Sequence, residues 1–516
     1  MNTPVVDSEE EAAKRARLLT SRIAFGAFAN WVNKATSVFL NLVLLPILFH
    51  HLSKTELGIW LLLGQGWASL GILDFGFTPT FTRRIAFAVG SGSTDSLGDL
   101  YATGRAVYRV LALLSLLVAF STGAGAVARL DPHGLSFASI WLAWGLLCLT
   151  QGMAVWASVW TCLLQGVGYV GWEAIVSSVV GIGIICTQML VVHMGAGLVG
   201  LASVAAGGAF VQRLVLLALA RAKRPDIFGL SGVYDHAIFK QMLSLSLKSW
   251  ITTLGIFVAV QTDQFFIAAL FGAERIPAYR AAAIVLFNIN NLAVTFALSS
   301  PVFIAQLWRA GEIASVHRIV KRNLRIGLSI VAFTGACLLA LGNRFFDMWL
   351  GSGNYVGDTI LACLILTFLL DTHSFILSTA SRATEDEVFW TWACAAAALK
   401  TVFAILLGAR FGLLGIALST LLSQLATNYW YMSYRAFRRL GIGIHTHIRE
   451  TVIPIAIWAA IIFISSLILS RYFSRDVLAV GSSIFASAVL LLAYLWSQVF
   501  NVDRGLLKSL SQSWRH

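Results

Sequence analysis

The sequence predicts an all-α polytopic membrane protein with about fourteen transmembrane helices. Hydrophobic residues make up 58% of the 516 positions and charged residues only 12%, which is more apolar surface than a soluble protein could bury. A bilayer core needs about 20 mostly apolar residues per helix, and fourteen windows of the sequence satisfy this requirement. Because lipid cannot satisfy free backbone groups, only helices or closed barrels span it.

The windows lie at residues 22–48, 57–78, 104–127, 136–163, 168–193, 196–219, 243–271, 278–307, 323–342, 354–379, 387–409, 412–434, 451–470 and 478–498. The second window contains Asp74, Gly76 and Pro79 and is followed by Arg83 and Arg84. The glycine and the proline predict a kink in this span. The arginines predict that the span ends at the phosphate headgroups of the cytoplasmic leaflet. Neither feature explains Asp74.

Lys and Arg are unevenly distributed between the connections. If the N-terminus is cytoplasmic, the inside connections hold about three times as many as the outside ones, which is the bias of cytoplasmic loops. We therefore expect both termini in the cytoplasm. The net charge of +13 is then a topology signal, and the absence of a soluble basic domain argues against nucleic-acid binding.

The chain also contains a short internal repeat. Residues 197–202 read GLVGLA and residues 412–417 read GLLGIA. Each stretch begins a predicted span, and Lys or Arg residues follow the end of that span. The shift of 215 residues between these stretches also aligns the first span with the seventh, and it brings Lys34 to the position next to Lys248. Two parallel six-helix lobes around a central cavity are expected, with two extra C-terminal helices, and transporters of this design bind substrate between the lobes.

These considerations divide the chain into five predicted regions. They are a cytoplasmic N-terminal arm (1–21), an N-lobe with spans 1–6 (22–220), a basic cytoplasmic linker (221–242), a C-lobe with spans 7–12 (243–440), and spans 13–14 with a cytoplasmic C-terminus (441–516).

Several stretches, in order along the chain, resemble a known family. They are LPILFHHLSKTELGIWLLL (45–63), LDFGFTPTFTRRIA (73–86), TDQFFIAALFGAERIPAY (262–279), FFDMWLG (345–351) and GLLGIALSTLLSQ (412–424). The chain resembles polysaccharide flippases of the Wzx type, within the multidrug/oligosaccharidyl-lipid/polysaccharide exporter superfamily.

This resemblance implies a transporter, not an enzyme, in the bacterial inner membrane. It would move an undecaprenyl-diphosphate-linked oligosaccharide between leaflets by alternating access, coupled to an ion gradient, for surface polysaccharide such as O-antigen. The implied partners are this lipid-linked substrate, membrane lipids and polysaccharide polymerase or assembly proteins. Neither a cofactor nor a metal site is expected.

Polar residues within the spans are the candidate substrate site, because intramembrane charges usually face a cavity. Lysine ammonium groups can attract a diphosphate as point charges, and asparagines can bind sugar hydroxyls. The candidates are Lys34, Lys248, Lys400, Asn33, Asn288 and Asn291. Internal ion pairs, snorkelling lysines and asparagine bonds between helices remain open as alternatives.

A second set of residues is predicted to couple ions or to gate the transporter. Asp74 and Asp263 match acidic positions of the family, although Pro79 departs from its usually continuous helix. Asp371 and His373 interrupt the tenth span, and histidine titrates near neutral pH. Arg280 begins the eighth span. Helix packing is the open alternative for these carboxylates, and snorkelling for Arg280.

Two other functions fit the composition. A multidrug exporter with the same two lobes would favour cavity carboxylates for its cationic substrates, whereas this chain offers intramembrane lysines. A membrane glycosyltransferase or ligase acting on lipid-linked glycans would need a sizeable catalytic outer loop, whereas the predicted outer loops are short.

Overall fold

The structure, a computed structural model, describes residues 32–497 except 34–35, 92–93, 128–134, 229–231, 299, 302–303, 305–307, 309–310, 312 and 385–389. Within these ranges the regular elements are helices, and none is a strand. Nine helices of the described part are long and apolar enough to cross a membrane. The predicted all-α polytopic fold is confirmed.

The chain forms two compact units, Met1–Thr253 and Leu254–His516. The described helices that begin in the first unit are α1 (Thr36–His51), α2 (Lys54–Ser69), α3 (Phe77–Ser91), α4 (Thr94–Val127), α5 (Phe137–Gly166), α6 (Val170–His193), α7 (Gly197–Lys223), α8 (Pro225–Phe228) and α9 (His236–Gln261). A 3₁₀ turn at Leu70–Asp74 separates α2 from α3. The unit boundary falls within α9.

The core of the first unit forms around α5, which packs on α3, α4 and α7. Phe77, Phe81 and Ile85 of α3 repeat at a spacing of four residues, so that they share one helix face. This face is buried together with Tyr108 of α4 and Leu163 of α5.

The second unit contains a further set of helices. They are α10 (Asp263–Phe271), α11 (Ile276–Ala293), α12 (Thr295–Leu298), α13 (Ile313–Leu341), α14 (Asn343–Leu350), α15 (Asp358–Arg382), α16 (Trp390–Phe411), α17 (Leu413–Ala426), α18 (Asn428–Leu440), α19 (Ile444–His447), α20 (Ile453–Tyr472) and α21 (Asp476–Leu495). A 3₁₀ turn at Ala273–Arg275 precedes α11, and a π-helical turn at Ile448–Val452 precedes α20.

The core of the second unit lies along α13, which packs on α15, α20 and α21. Leu324 and Phe333 of α13 are buried against Ile462 of α20 and Tyr494 of α21. The final two helices are therefore packed parts of this unit.

Each of the fourteen predicted windows overlaps described helices, but several are not continuous. The helices break at residues 70–76, Thr262, Val294 and Thr427. The first break lies in the window where Gly76 and Pro79 predicted a kink, and the other three lie where uninterrupted apolar spans were expected. Hydropathy missed the last three breaks because it records composition and not backbone direction. Breaks at membrane depth are tolerated only where protein or water satisfies the freed backbone groups, so they indicate where polar sites lie.

Candidate functional site

A buried polar site of the second unit lies where α9 ends and α10 begins. Thr262 leaves helical geometry with φ −97° and ψ 0°, and Asp263 is the first residue of α10. The positive end of a helix dipole stabilises a carboxylate there. The Asp263 side chain is 15% exposed, and its Oδ2 accepts a 2.6 Å hydrogen bond from the Tyr279 hydroxyl.

The ammonium of Lys400 completes this site from α16. Its side chain is completely buried, and its Nζ lies 2.5 Å from Asp263 Oδ1. Nζ also donates to Ser419 Oγ at 2.7 Å and Thr420 Oγ1 at 2.6 Å, with the Ile416 carbonyl at 3.3 Å. An ammonium has three N–H donors, so this oxygen cage satisfies them all.

Asp263 also lies on the wall of a small cavity of about 40 Å³. Tyr279, Arg280, Thr367 and Thr420 contribute to the same wall. A cavity needs roughly 10–15 Å³ on this measure to hold one water, so the space admits water beside the ion pair. The predicted gating residue Arg280 therefore belongs to this site.

A second polar cluster joins α11 to α15. Thr372 donates to Asn290 Oδ1 at 2.5 Å, and Asn290 Nδ2 donates to Asp371 Oδ2 at 3.3 Å. Asn288, on the same helix, is 9% exposed, and its Nδ2 has no hydrogen-bond partner among the described residues. Asn291 is partly exposed and accepts a hydrogen bond from Thr295 on its carbonyl. The α11 asparagines thus have different surroundings.

His373 pairs with a histidine that sequence reasoning did not connect with it. Its Nε2 lies 3.0 Å from Nε2 of His447 on α19, and its Nδ1 lies 3.2 Å from Ser433 Oγ on α18. The ring of Phe437 packs against both imidazoles. His447 is only 7% exposed.

In the first unit, Asp74 lies at the break between α2 and α3 and stabilises it through hydrogen bonds to the backbone. Its Oδ1 accepts a 2.5 Å hydrogen bond from the Gly76 N–H, and its Oδ2 accepts a 3.3 Å bond from the Thr78 N–H. The first N–H groups of a helix lack intrahelical partners, and a carboxylate is well suited to satisfy them. This geometry explains why an acidic residue precedes the kink.

The chain direction changes at Phe75 and Gly76, which have φ values of 52° and 72°. Such values cost little for glycine and about 1–2 kcal/mol for other residues. A Cβ on Gly76 would lie 2.9 Å from the Ser246 carbonyl oxygen of α9. The Phe75 ring packs on Trp250 at a centroid distance of 4.8 Å, so this kink is a packing point for α9.

Asn33 belongs to a polar contact between the first span and α6, where Ser178 donates to its Oδ1 at 2.9 Å. Two predicted substrate residues cannot be placed in the same way. Lys34 lies outside the described residues. Lys248 lies within α9, but its side chain is not among those that the structure describes.

Comparisons with known proteins agree with this architecture. The chain is 23% identical over 354 residues, 68% of its length, to a Shigella flexneri protein named "Putative O-antigen transporter", of which it covers 82%. Its fold matches the lipid II flippase MurJ in an inward closed conformation, with a TM-score of 0.68, 13% identity, 93% of this chain and 100% of that one. The resemblance to polysaccharide flippases is confirmed.

An inward-facing multidrug resistance MATE transporter of the MOP superfamily also shares the fold, with a TM-score of 0.62, 13% identity, 81% of this chain and 99% of that one. No family model matches the sequence. These relatives are named as transporters or flippases and not as enzymes, which agrees with the sequence prediction.

Sequence reasoning identified both charges of the Asp263–Lys400 pair but did not pair them, because the polar partners of Lys400 lie on other helices and not on α16. The companions come from α17 instead. A signal was present there, since buried polar residues recur along one face of α17 and at the start of α18. They are Ser419, Thr420, Ser423, Gln424, Thr427 and Asn428. A polar face inside an apolar span predicts a buried polar contact.

Proposed function

We propose that this chain is a flippase for a lipid-linked oligosaccharide in the bacterial inner membrane. The similarity to the Shigella flexneri protein over 68% of the chain carries the proposal, and the fold shared with the lipid II flippase supports it. The substrate would be an undecaprenyl-diphosphate-linked glycan, delivered to the enzymes that polymerise or assemble surface polysaccharide. Both termini would be cytoplasmic.

The direct test is complementation. The chain is expressed in strains that lack their O-antigen flippase, and surface lipopolysaccharide is analysed by gel electrophoresis. Restored O-antigen in at least one such strain, at normal membrane levels of the protein, is the expected result. Failure in strains whose glycans cover the known range of first sugars would contradict a general flippase role.

The Asp263–Lys400 site is our candidate for ion coupling. Its oxygen cage already contains a tethered cation, the Lys400 ammonium, so there is no need for a bound metal ion. A proton arriving through the adjoining cavity would neutralise Asp263 and leave a buried ammonium facing neutral oxygens. This state is costly, so protonation would drive a rearrangement of α10, α16 and α17.

The coupling hypothesis is tested by dissipating one gradient at a time. In energised vesicles we expect a protonophore to stop glycan translocation and a sodium ionophore to leave it unchanged.

In this geometry the Lys400 ammonium has no open side for a diphosphate. Its predicted role in substrate binding would therefore require the ion pair to separate during the transport cycle. Asp371 and His373 stay as further candidates on α15.

Lys34 and Lys248 remain the proposed diphosphate ligands, because the repeat gives them equivalent positions in the two lobes. A charge-assisted hydrogen bond to phosphate contributes roughly 1.5–3 kcal/mol, or about a ten- to hundredfold change in affinity. We expect Lys34→Ala and Lys248→Ala each to impair complementation at normal protein levels, with arginine partly tolerated. Full activity of both alanine variants would exclude the bridging role.

Asp74 is proposed to support gating through the kink that it caps. Asparagine keeps one acceptor oxygen for the Gly76 N–H but places an amide NH2 donor opposite the Thr78 N–H. Asp74→Asn should therefore weaken the kink, lower the transport rate and leave substrate affinity little changed. A large loss of affinity would contradict this role.

A multidrug exporter is the second candidate, because the MATE transporter shares the fold over 81% of the chain. The discriminating measurement is drug susceptibility of a hypersensitive strain that expresses the chain. Cationic dye efflux without O-antigen complementation would favour this function over the flippase.

A further inference from the structure

Two histidines meet at one end of the first unit. His51 is the last residue of α1, and His193 is the last residue of α6. Both side chains are exposed. Nε2 of His51 lies 3.2 Å from Nδ1 of His193, and the rings meet edge to face at 5.3 Å with an interplanar angle of 68°.

The tautomer of His51 follows from its second contact. Its Nδ1 lies 2.9 Å from the backbone carbonyl oxygen of Ile47. A carbonyl can only accept, so Nδ1 carries the hydrogen and Nε2 has a free lone pair in the neutral ring. Metal-ligating histidines usually donate their other N–H to a carbonyl or carboxylate in this way, which fixes the ring for coordination.

The separation of the two nitrogens also matches a shared metal ion. Metal–nitrogen bonds of about 2.0–2.1 Å place two ligating nitrogens about 2.9 Å apart at a right angle and about 3.3 Å apart in a tetrahedron. The observed 3.2 Å lies between these values. As a simple hydrogen bond, an exposed pair would contribute little, because water competes for both rings.

We propose that His51 and His193 form a binding site for a divalent transition metal ion such as Zn²⁺, Ni²⁺ or Cu²⁺, the ions that imidazole favours. His51 contributes Nε2, and His193 contributes Nδ1 after its proton moves to Nε2. The described residues contain no group of three or more potential metal ligands, so water completes the coordination. The ion joins the ends of α1 and α6.

The test uses the purified full-length chain without a histidine affinity tag. Zn²⁺ binding is measured by competition with a chromophoric chelator, and Cu²⁺ binding by electron paramagnetic resonance. We expect the unmodified chain to bind one ion more than the His51→Gln/His193→Gln double variant, and this ion to show two imidazole nitrogens in the Cu²⁺ difference spectrum. His51→Gln and His193→Gln should each lower the affinity at least tenfold. His50→Gln is the matched control, because His50 is exposed beside His51 and has no role in the proposed site.

Unchanged affinity in the His51→Gln/His193→Gln double variant would overturn the proposal, as would equal losses in all three single variants. A spectrum with one imidazole nitrogen would also overturn it. These measurements require no transport substrate, so their outcome is independent of the flippase assignment.

Discussion

Removing one charge of the Asp263–Lys400 pair should be much more costly than removing both. Lys400→Met keeps an apolar side chain of similar length but deletes the ammonium, which leaves the Asp263 carboxylate with the hydroxyls of Tyr279 and Thr420. Breaking a buried ion pair from one side costs about 3–5 kcal/mol. Because Asp263 is 15% exposed and borders a cavity, the lower end of this range applies.

Asp263→Asn should be the more damaging single change. It leaves the ammonium of Lys400 fully buried among neutral oxygens, and the upper end of the same range of about 3–5 kcal/mol applies. The double variant Asp263→Asn/Lys400→Met removes both charges. Replacing a whole buried pair is often close to neutral, so its loss should be well below the sum, with a coupling energy of about 2 kcal/mol or more.

The assay is reversible unfolding of the purified protein in a denaturing-detergent titration, with all four members of the cycle compared at one pH. Lys240→Met is the matched control, because Lys240 is an exposed lysine on α9 and should change stability by no more than about 0.5 kcal/mol. Additive single losses would refute the reasoning, as would a Lys400→Met loss as small as that of the control.

The remaining predictions concern the kink and the topology. Gly76→Ala should destabilise the protein by about 1–3 kcal/mol in the same assay, because its φ is positive and its Cβ would approach the Ser246 carbonyl oxygen. Gly64→Ala is the control, since among the described residues no atom beyond its chain neighbours and its own helix backbone lies within 4 Å of the added Cβ. An equal loss there would exclude the steric explanation. In a cysteine-free background, Lys240→Cys should react with impermeant maleimide only after the cells are opened, and Ser352→Cys should react in intact cells. The reverse pattern would invert the proposed orientation.

The sequence predicted the all-helical class and the approximate positions of the helices, because an apolar stretch of sufficient length has few alternatives to a helix in a bilayer. It also identified Asp263, Lys400, Asp371 and His373 as unusual, since charge at membrane depth is costly. Their partners could not be predicted. Hydropathy gives no information on which helix packs beside another, so the Lys400 cage from α17 emerges only from the fold.

The broken helices have a physical role in common. Asp74 follows the end of α2, Asp263 follows the end of α9, and Thr427 separates α17 from α18 beside a buried polar face. A break exposes backbone N–H and C=O groups that lipid cannot satisfy. At Asp74 the side chain itself satisfies two of these N–H groups. At Asp263 the carboxylate instead binds groups from α11, α16 and α17. The first arrangement is self-contained, whereas the second depends on three other helices remaining in place. A change in the charge of Asp263 therefore alters contacts with several helices at once, and this favours Asp263 over Asp74 as the site of the proposed ion coupling.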